Sequence, residues 1–149
     1  MQDRFKFRAW KKISQIYDYD IQECEKIPLH NSNKEKCFAC FQSYLKNQDI
    51  FEIEQCTGLK DKNGKLIYEG DIIKVTSPKN WNIFDEYSNS EILGKGVVVT
   101  KPGCAFIKKN DIDGEEKKYY FALYSVVEDA DVEVVGNIHE NPELLEEDK

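Results

Sequence analysis

Cys37 and Cys40 form a Cys-x-x-Cys pair, the spacing with which two thiolates can grip one zinc ion. Cys24 and Cys56 would complete a four-thiolate set. No second Cys-x-x-Cys is present, however, and the surrounding segment reads as helix, which puts both thiols on one apolar face. Core packing of reduced thiols is the competing reading. The chain has five cysteines, Cys104 being the fifth, an odd number that suits a reducing compartment better than a disulfide framework. A thioredoxin-type role lacks the βαβ pattern that would carry it.

Other chemistry-bearing patterns are weaker. Gly58, Gly64 and Gly70 are evenly spaced within "TGLKDKNGKLIYEGDIIKV", Thr57 to Val75. A phosphate loop needs a different glycine spacing and a following Gly-Lys-Ser/Thr, and neither is here. "DIDGEE", Asp111 to Glu116, lacks the remaining oxygen ligands and terminal Glu of a calcium loop. Of the two histidines, His30 falls in a polar loop and His139 just after the last predicted strand. Surface or capping roles suit both, and no base stands beside a nucleophile. The chain therefore reads as non-enzymatic, with no cofactor and no catalytic residue.

Two stretches could bind a macromolecule. Arg4, Lys6, Arg8, Lys11 and Lys12 form a basic cluster, with Trp10 or Tyr17 able to stack on bases. The competing reading is the solvated side of an edge strand and its turn. "TSPKNWNIFDEYSNSEILGK", Thr76 to Lys95, is long for a connection and carries Trp81, Phe84 and Tyr87 around Asp85 and Glu86. Such rings anchor interfaces, and the acids would face a basic partner. The same rings could instead fold back over the core edge.

The elements that must position these groups follow from periodicity. "FKFRAW" alternates, with Phe5, Phe7 and Ala9 on one face and Lys6 and Arg8 on the other. "QIYDYDI" alternates again, so the two predict a hairpin turning at Lys11 and Lys12. Ser32 and Glu35 have capping-box spacing, and Phe38, Phe41 and Leu45 recur at helical intervals, predicting a helix over Asn33–Lys46. Ile50–Cys56 returns to period two with Phe51 and Ile53 inward. Asn63-Gly64 predicts a tight turn, Gly70 a sharp bend, and Asp71 a carboxylate accepting from nearby backbone N–H groups. Ile72–Val75, "GVVVT", "CAFIKK", "KYYFALYSV" and "DVEVVGN" predict five strands, the last with Val132 and Val134 on one face. Asn141-Pro142-Glu143 opens a short helix.

At 149 residues with 40% hydrophobic content, the chain has enough apolar surface for an ordinary globular fold. No run approaches the ~20 apolar residues of a membrane span. The first ten residues have no signal-type apolar core, so a cytoplasmic protein is expected. The net charge is −7 and uneven: residues 1–56 hold nine basic and nine acidic side chains, and residues 57–149 twelve and nineteen. Acidity of that kind disfavours duplex DNA as a partner. The element pattern predicts an N-terminal hairpin, helix and strand over 1–56. A small SH3-like β-barrel with a short C-terminal helix is predicted over 57–149, for a mainly β (α+β) class.

Three pieces in order, "FRAW" at Phe7–Trp10, "TGLKDKNGKLIYEGDIIKV" at Thr57–Val75 and "VEVVGNIHENPELL" at Val132–Leu145, resemble the YopX family of phage and prophage proteins. Lys11 stands where that family usually has an acidic residue. The resemblance leaves out Ile21–Asn47 and Thr76–Lys95. It implies a C-terminal SH3-like barrel, homo-oligomers and an origin in phages and integrated elements, and carries over no catalytic residue. The expectation is a non-enzymatic accessory protein that binds a host protein with a basic surface. Its target would be a defence or nucleic-acid-processing factor, engaged through Trp81, Phe84, Asp85, Glu86 and Tyr87. The alternatives are nucleic-acid binding through the N-terminal cluster and a small-ligand (nucleotide) sponge formed by an oligomer.

Overall fold

The computed structural model of the chain describes residues 5–23, 38–78, 93–110 and 118–146. They are mainly β, arranged in antiparallel sheets, and the chain divides into two units, Met1–Cys56 and Thr57–Lys149.

In the first unit, β1 (Phe7–Lys11) and β2 (Ile16–Tyr19) form the expected hairpin, and β3 (Phe51–Lys60) lies on the other side of β1. Gln15 closes the turn by donating its N–H to the Lys11 carbonyl, at a φ of 55°. A 3-10 turn at Ile21–Glu23 follows β2, and α1 spans Phe38–Lys46. The capping box at Ser32 and Glu35 lies outside the described residues.

Packing differs from simple alternation here. β1 is central, and Arg8, Ala9 and Trp10 are all buried. The Phe7 face meets α1, where the Phe7 and Phe41 rings stand 5.2 Å apart. Tyr44, rather than Leu45, is the second inward helix residue. Its ring packs on Phe51 at 4.8 Å and its hydroxyl donates to Asp18 at 2.6 Å, while Leu45 is exposed. Phe5, expected inward, is 73% exposed. On β3, Phe51 and Ile53 are only half-buried, whereas Glu54 and Cys56 are buried. The reason is non-local: Glu54 lies directly opposite Arg8, so an ion pair holds both charges inside.

The second unit holds β4 (Leu66–Tyr68), β5 (Asp71–Pro78), β6 (Gly94–Lys101), β7 (Cys104–Asn110), β8 (Lys118–Ala122), α2 (Leu123–Asp129), β9 (Ala130–Asn137) and a 3-10 turn at Pro142–Leu145. β4 neighbours β3, which runs on past Cys56. The other five strands form one sheet in the order β8-β7-β6-β5-β9, so β8 and β9 are its edges among the described residues. A closed barrel is therefore not what the pairing displays. Ile67, Ile73, Val75, Val98, Ile107, Leu123, Val126, Ala130 and Val132 form the core. Each large aliphatic side chain fully buried there contributes about 1.5–3 kcal/mol. Ile72 is also inaccessible but stands outside this cluster: β5 keeps an unbroken register with β6 there, so Ile72 and Ile73 alternate onto opposite faces, and the register shift with β9 places the extra residue, Val135, on β9.

One predicted strand is corrected. "KYYFALYSV" extends only to Ala122, after which the chain turns into α2. Leu123 and Val126, three apart, enter the core, while Tyr124, Ser125 and Glu128 face out. This helical period is short and written in tyrosine and valine, which favour strands by composition. Asn141 does precede the terminal turn, but its side chain makes no cap bond there; its Oδ1 accepts from the Asn137 N–H at 3.4 Å.

Candidate functional site

The Thr57–Val75 stretch is a set of fastened turns. Asp61 is 7% exposed, and its Oδ1 accepts from the N–H groups of Asn63 at 2.8 Å and Lys65 at 2.9 Å. Its Oδ2 accepts from Val134 N–H at 3.0 Å, tying the turn to β9. Burial alone would raise the Asp61 pKa, but the three N–H donors and the Lys65 charge outweigh it and hold the carboxyl below its ordinary value. Lys62 adds an N–H bond to the Val132 carbonyl at 2.8 Å and an ion pair with Glu133 at 2.7 Å. Gly64, at a φ of 82°, makes the turn sterically possible.

The second turn is fastened in the same way. Asp71 is 1% exposed and its Oδ2 accepts from Tyr68 N–H at 2.8 Å, as expected. Gly70 donates its N–H to the Val98 carbonyl and accepts from Ile138 N–H, each at 2.9 Å. Thr57 donates its hydroxyl to the Ile67 carbonyl at 2.8 Å. At β9's end Asn137 Oδ1 accepts from the N–H groups of His139 at 3.1 Å and Glu140 at 2.9 Å. These polar atoms terminate strands.

The basic N-terminal residues are mostly committed. Arg4 lies outside the described residues. Lys6 is half-buried, and its carbonyl accepts from Cys56 N–H. Arg8, expected on a solvated face, donates to Glu54 at 2.6 Å, with both side chains 3% exposed. Its guanidinium also lies 4.4 Å from the centre of the Tyr17 ring, whose hydroxyl donates to Glu54 at 3.1 Å. Trp10 is buried and packs on Tyr17 at 5.0 Å. Lys11 pairs with Asp18 at 2.9 Å, and Lys12 donates to the Gln48 carbonyl at 2.9 Å. A phosphate backbone would meet little free positive charge on these side chains, and neither ring offers an open face of the kind base stacking needs.

Trp81, Phe84, Asp85, Glu86 and Tyr87 all lie outside the described residues, as do Cys24, Cys37 and His30. Cys40 belongs to α1 by its backbone, and Cys56 is buried.

The exposed recognition chemistry that periodicity did not single out lies in the second unit. On the α2 surface Tyr124 is 62% exposed, with Glu128 one turn on and Asp129 and Asp131 half-buried after it. On the outward side of β6–β8, Lys101 Nζ sits 4.3 Å from the Tyr120 ring centre and 5.6 Å from that of Phe106. The register places Lys108 opposite Tyr120 and Val99 opposite Phe106.

A mainly β chain with fastened turns at Thr57–Val75 and a terminal 3-10 turn after β9 is a family-level pattern. The chain belongs to the YopX family: the profile described as "YopX protein" matches residues 6–146. It is similar in fold to the crystal structure of protein EF1440 from Enterococcus faecalis, at 24% identity and a TM-score of 0.54, over 94% of this chain and 96% of that one. No curated protein matches it. Among the described residues no helix is long and apolar enough to cross a membrane.

Proposed function

We propose that this chain is a non-enzymatic accessory protein of a phage or prophage that binds and modulates a host protein with a basic surface. A defence or nucleic-acid-processing factor is the kind of target meant, met in the host cytoplasm by a homo-oligomer. The observation that carries the reading is the outward face of α2. Leu123 and Val126 anchor the helix in the core, which leaves Tyr124 as a large, rigid ring standing in solvent beside Glu128. A ring of this kind offers much contact area at little entropic cost, and the acids beside it complement basic side chains. We read the order β9-β5-β6-β7-β8, with a helix between β8 and β9, as that of an SH3-like barrel. Such folds present their surfaces to varied partners, an argument from fold analogy.

Affinity capture from host lysate tests this. One dominant host protein should survive nuclease treatment and be lost with Tyr124→Ala and with Glu128→Lys, both variants remaining folded. A partner retained by both variants would remove α2 as the binding surface.

A further inference from the structure

We propose that the outward face of β6, β7 and β8 is a platform for single-stranded nucleic acid. The inference goes beyond the α2 reading and uses none of its residues. Strand alternation sends Ile107 and Val98 into the core, so Val99 and Lys101 on β6, Phe106 and Lys108 on β7, and Tyr120 on β8 share the opposite face. Tyr120 is 44% exposed. None of the described outward positions on these three strands is acidic, although the chain as a whole is at −7. Lysines without an acidic neighbour at these described strand positions fit a phosphate backbone better than a basic protein.

The rings decide between single strands and duplex. Stacking needs bases with open faces, which duplex bases lack, and aromatic platforms beside lysines bind single strands without reading sequence. Lys101 already rests its ammonium on the Tyr120 ring. A cation on an exposed ring is the weaker contact, so an arriving base can take the ring while Lys101 moves to the adjoining phosphate. Lys108, directly across from Tyr120, is placed for the neighbouring phosphate. The ring and the two lysines thus share one face across three neighbouring strands, which sets a stacking surface beside two phosphate-binding cations.

Fluorescence anisotropy with labelled oligothymidylate and oligouridylate, from about 50 to about 200 mM salt, tests the platform. Binding should weaken with salt, and Lys101→Ala with Lys108→Ala should reduce the salt slope by about 1.4. Tyr120→Ala should weaken binding roughly ten-fold, Tyr120→Phe should retain it, and Tyr124→Ala should leave it unchanged. If Tyr120→Ala fails to fold, by far-UV circular dichroism, the lysine pair and Tyr120→Phe still decide the matter. No binding by the parent at low salt would overturn the proposal. So would an unchanged salt slope in the lysine double variant, or a duplex bound as tightly as the single strand. Loss of the α2 partner with retained oligonucleotide binding would remove only the host-protein reading.

Discussion

Replacing Asp61 measures how much of the Thr57–Val75 stretch is structural. Its carboxylate accepts from three backbone N–H groups, two on Oδ1 and one on Oδ2, while almost wholly buried. Hydrogen bonds to a charged group contribute about 1.5–3 kcal/mol each, and buried donors left without an acceptor add to the loss. Asp61→Asn keeps an oxygen for Asn63 and Lys65 but turns an NH2 toward Val134 N–H, so it should cost about 2 kcal/mol. Asp61→Ala strands all three donors and should cost about 4 kcal/mol, near the upper end for single substitutions. Urea denaturation should show both losses as lower midpoints with an unchanged slope. The pH dependence adds a second readout. The folded carboxyl has a depressed pKa, so its contribution is fully present above the unfolded value of about 3.9. The contribution is lost as pH falls through the lower folded value, where the parent and Asp61→Asn should converge. An Asp61→Asn midpoint equal to the parent's at neutral pH would refute this account. So would an Asp61→Ala variant no weaker than Asp61→Asn.

Two further substitutions probe packing and buried charge. A Cβ at Gly96 would stand 2.5 Å from Ile107 Cγ2 and 3.2 Å from the Lys108 carbonyl oxygen, so Gly96→Ala should cost about 1–3 kcal/mol in urea denaturation; a neutral result would show that β6 and β7 can separate freely. Arg8→Met should cost about 3–5 kcal/mol by taking the guanidinium away from the buried Glu54 carboxylate, and adding Glu54→Leu should restore most of it. A double variant as weak as the single one would show that shape, not charge pairing, holds β1 to β3.

What could be read from the amino-acid order was local. Asn63-Gly64 and Gly70-Asp71 need only their neighbours to specify a turn, and they form as expected. The β6–β7 connection at Pro102-Gly103 is of the same kind, with Gly103 at a φ of 84°. Alternation alone places Arg8 outside, because the Glu54 partner that draws it inside is 46 residues away. The role of Asp61 is hidden for a related reason: its third donor, Val134, is 73 residues distant. The α2 helix was hidden by composition, since only Leu123 and Val126 mark its inner side.

The same distinction bears on where function can lie. Asp61 holds three N–H donors, Asp71 holds Tyr68 N–H, and Thr57 is spent on the Ile67 carbonyl. Oxygens so occupied are poor candidates to meet a substrate, and withdrawing any of them would expose a backbone donor or acceptor to the interior. Arg8 and Glu54 are occupied with each other in the first unit. Tyr124 and Glu128 stand on the surface of α2 instead, and Tyr120 and Phe106 stand beside the Lys101 ammonium across β7 and β8. A partner gains most where binding breaks least. The two exposed faces of the second unit meet that condition, and they differ in charge: one is acidic and helical, the other lysine-bearing and built on strands. A single partner could not use both chemistries in the same way. Oligonucleotide binding and host-protein capture should therefore respond to separate substitutions, and a variant that abolished both while folded would mean that one shared surface, not two, carries recognition.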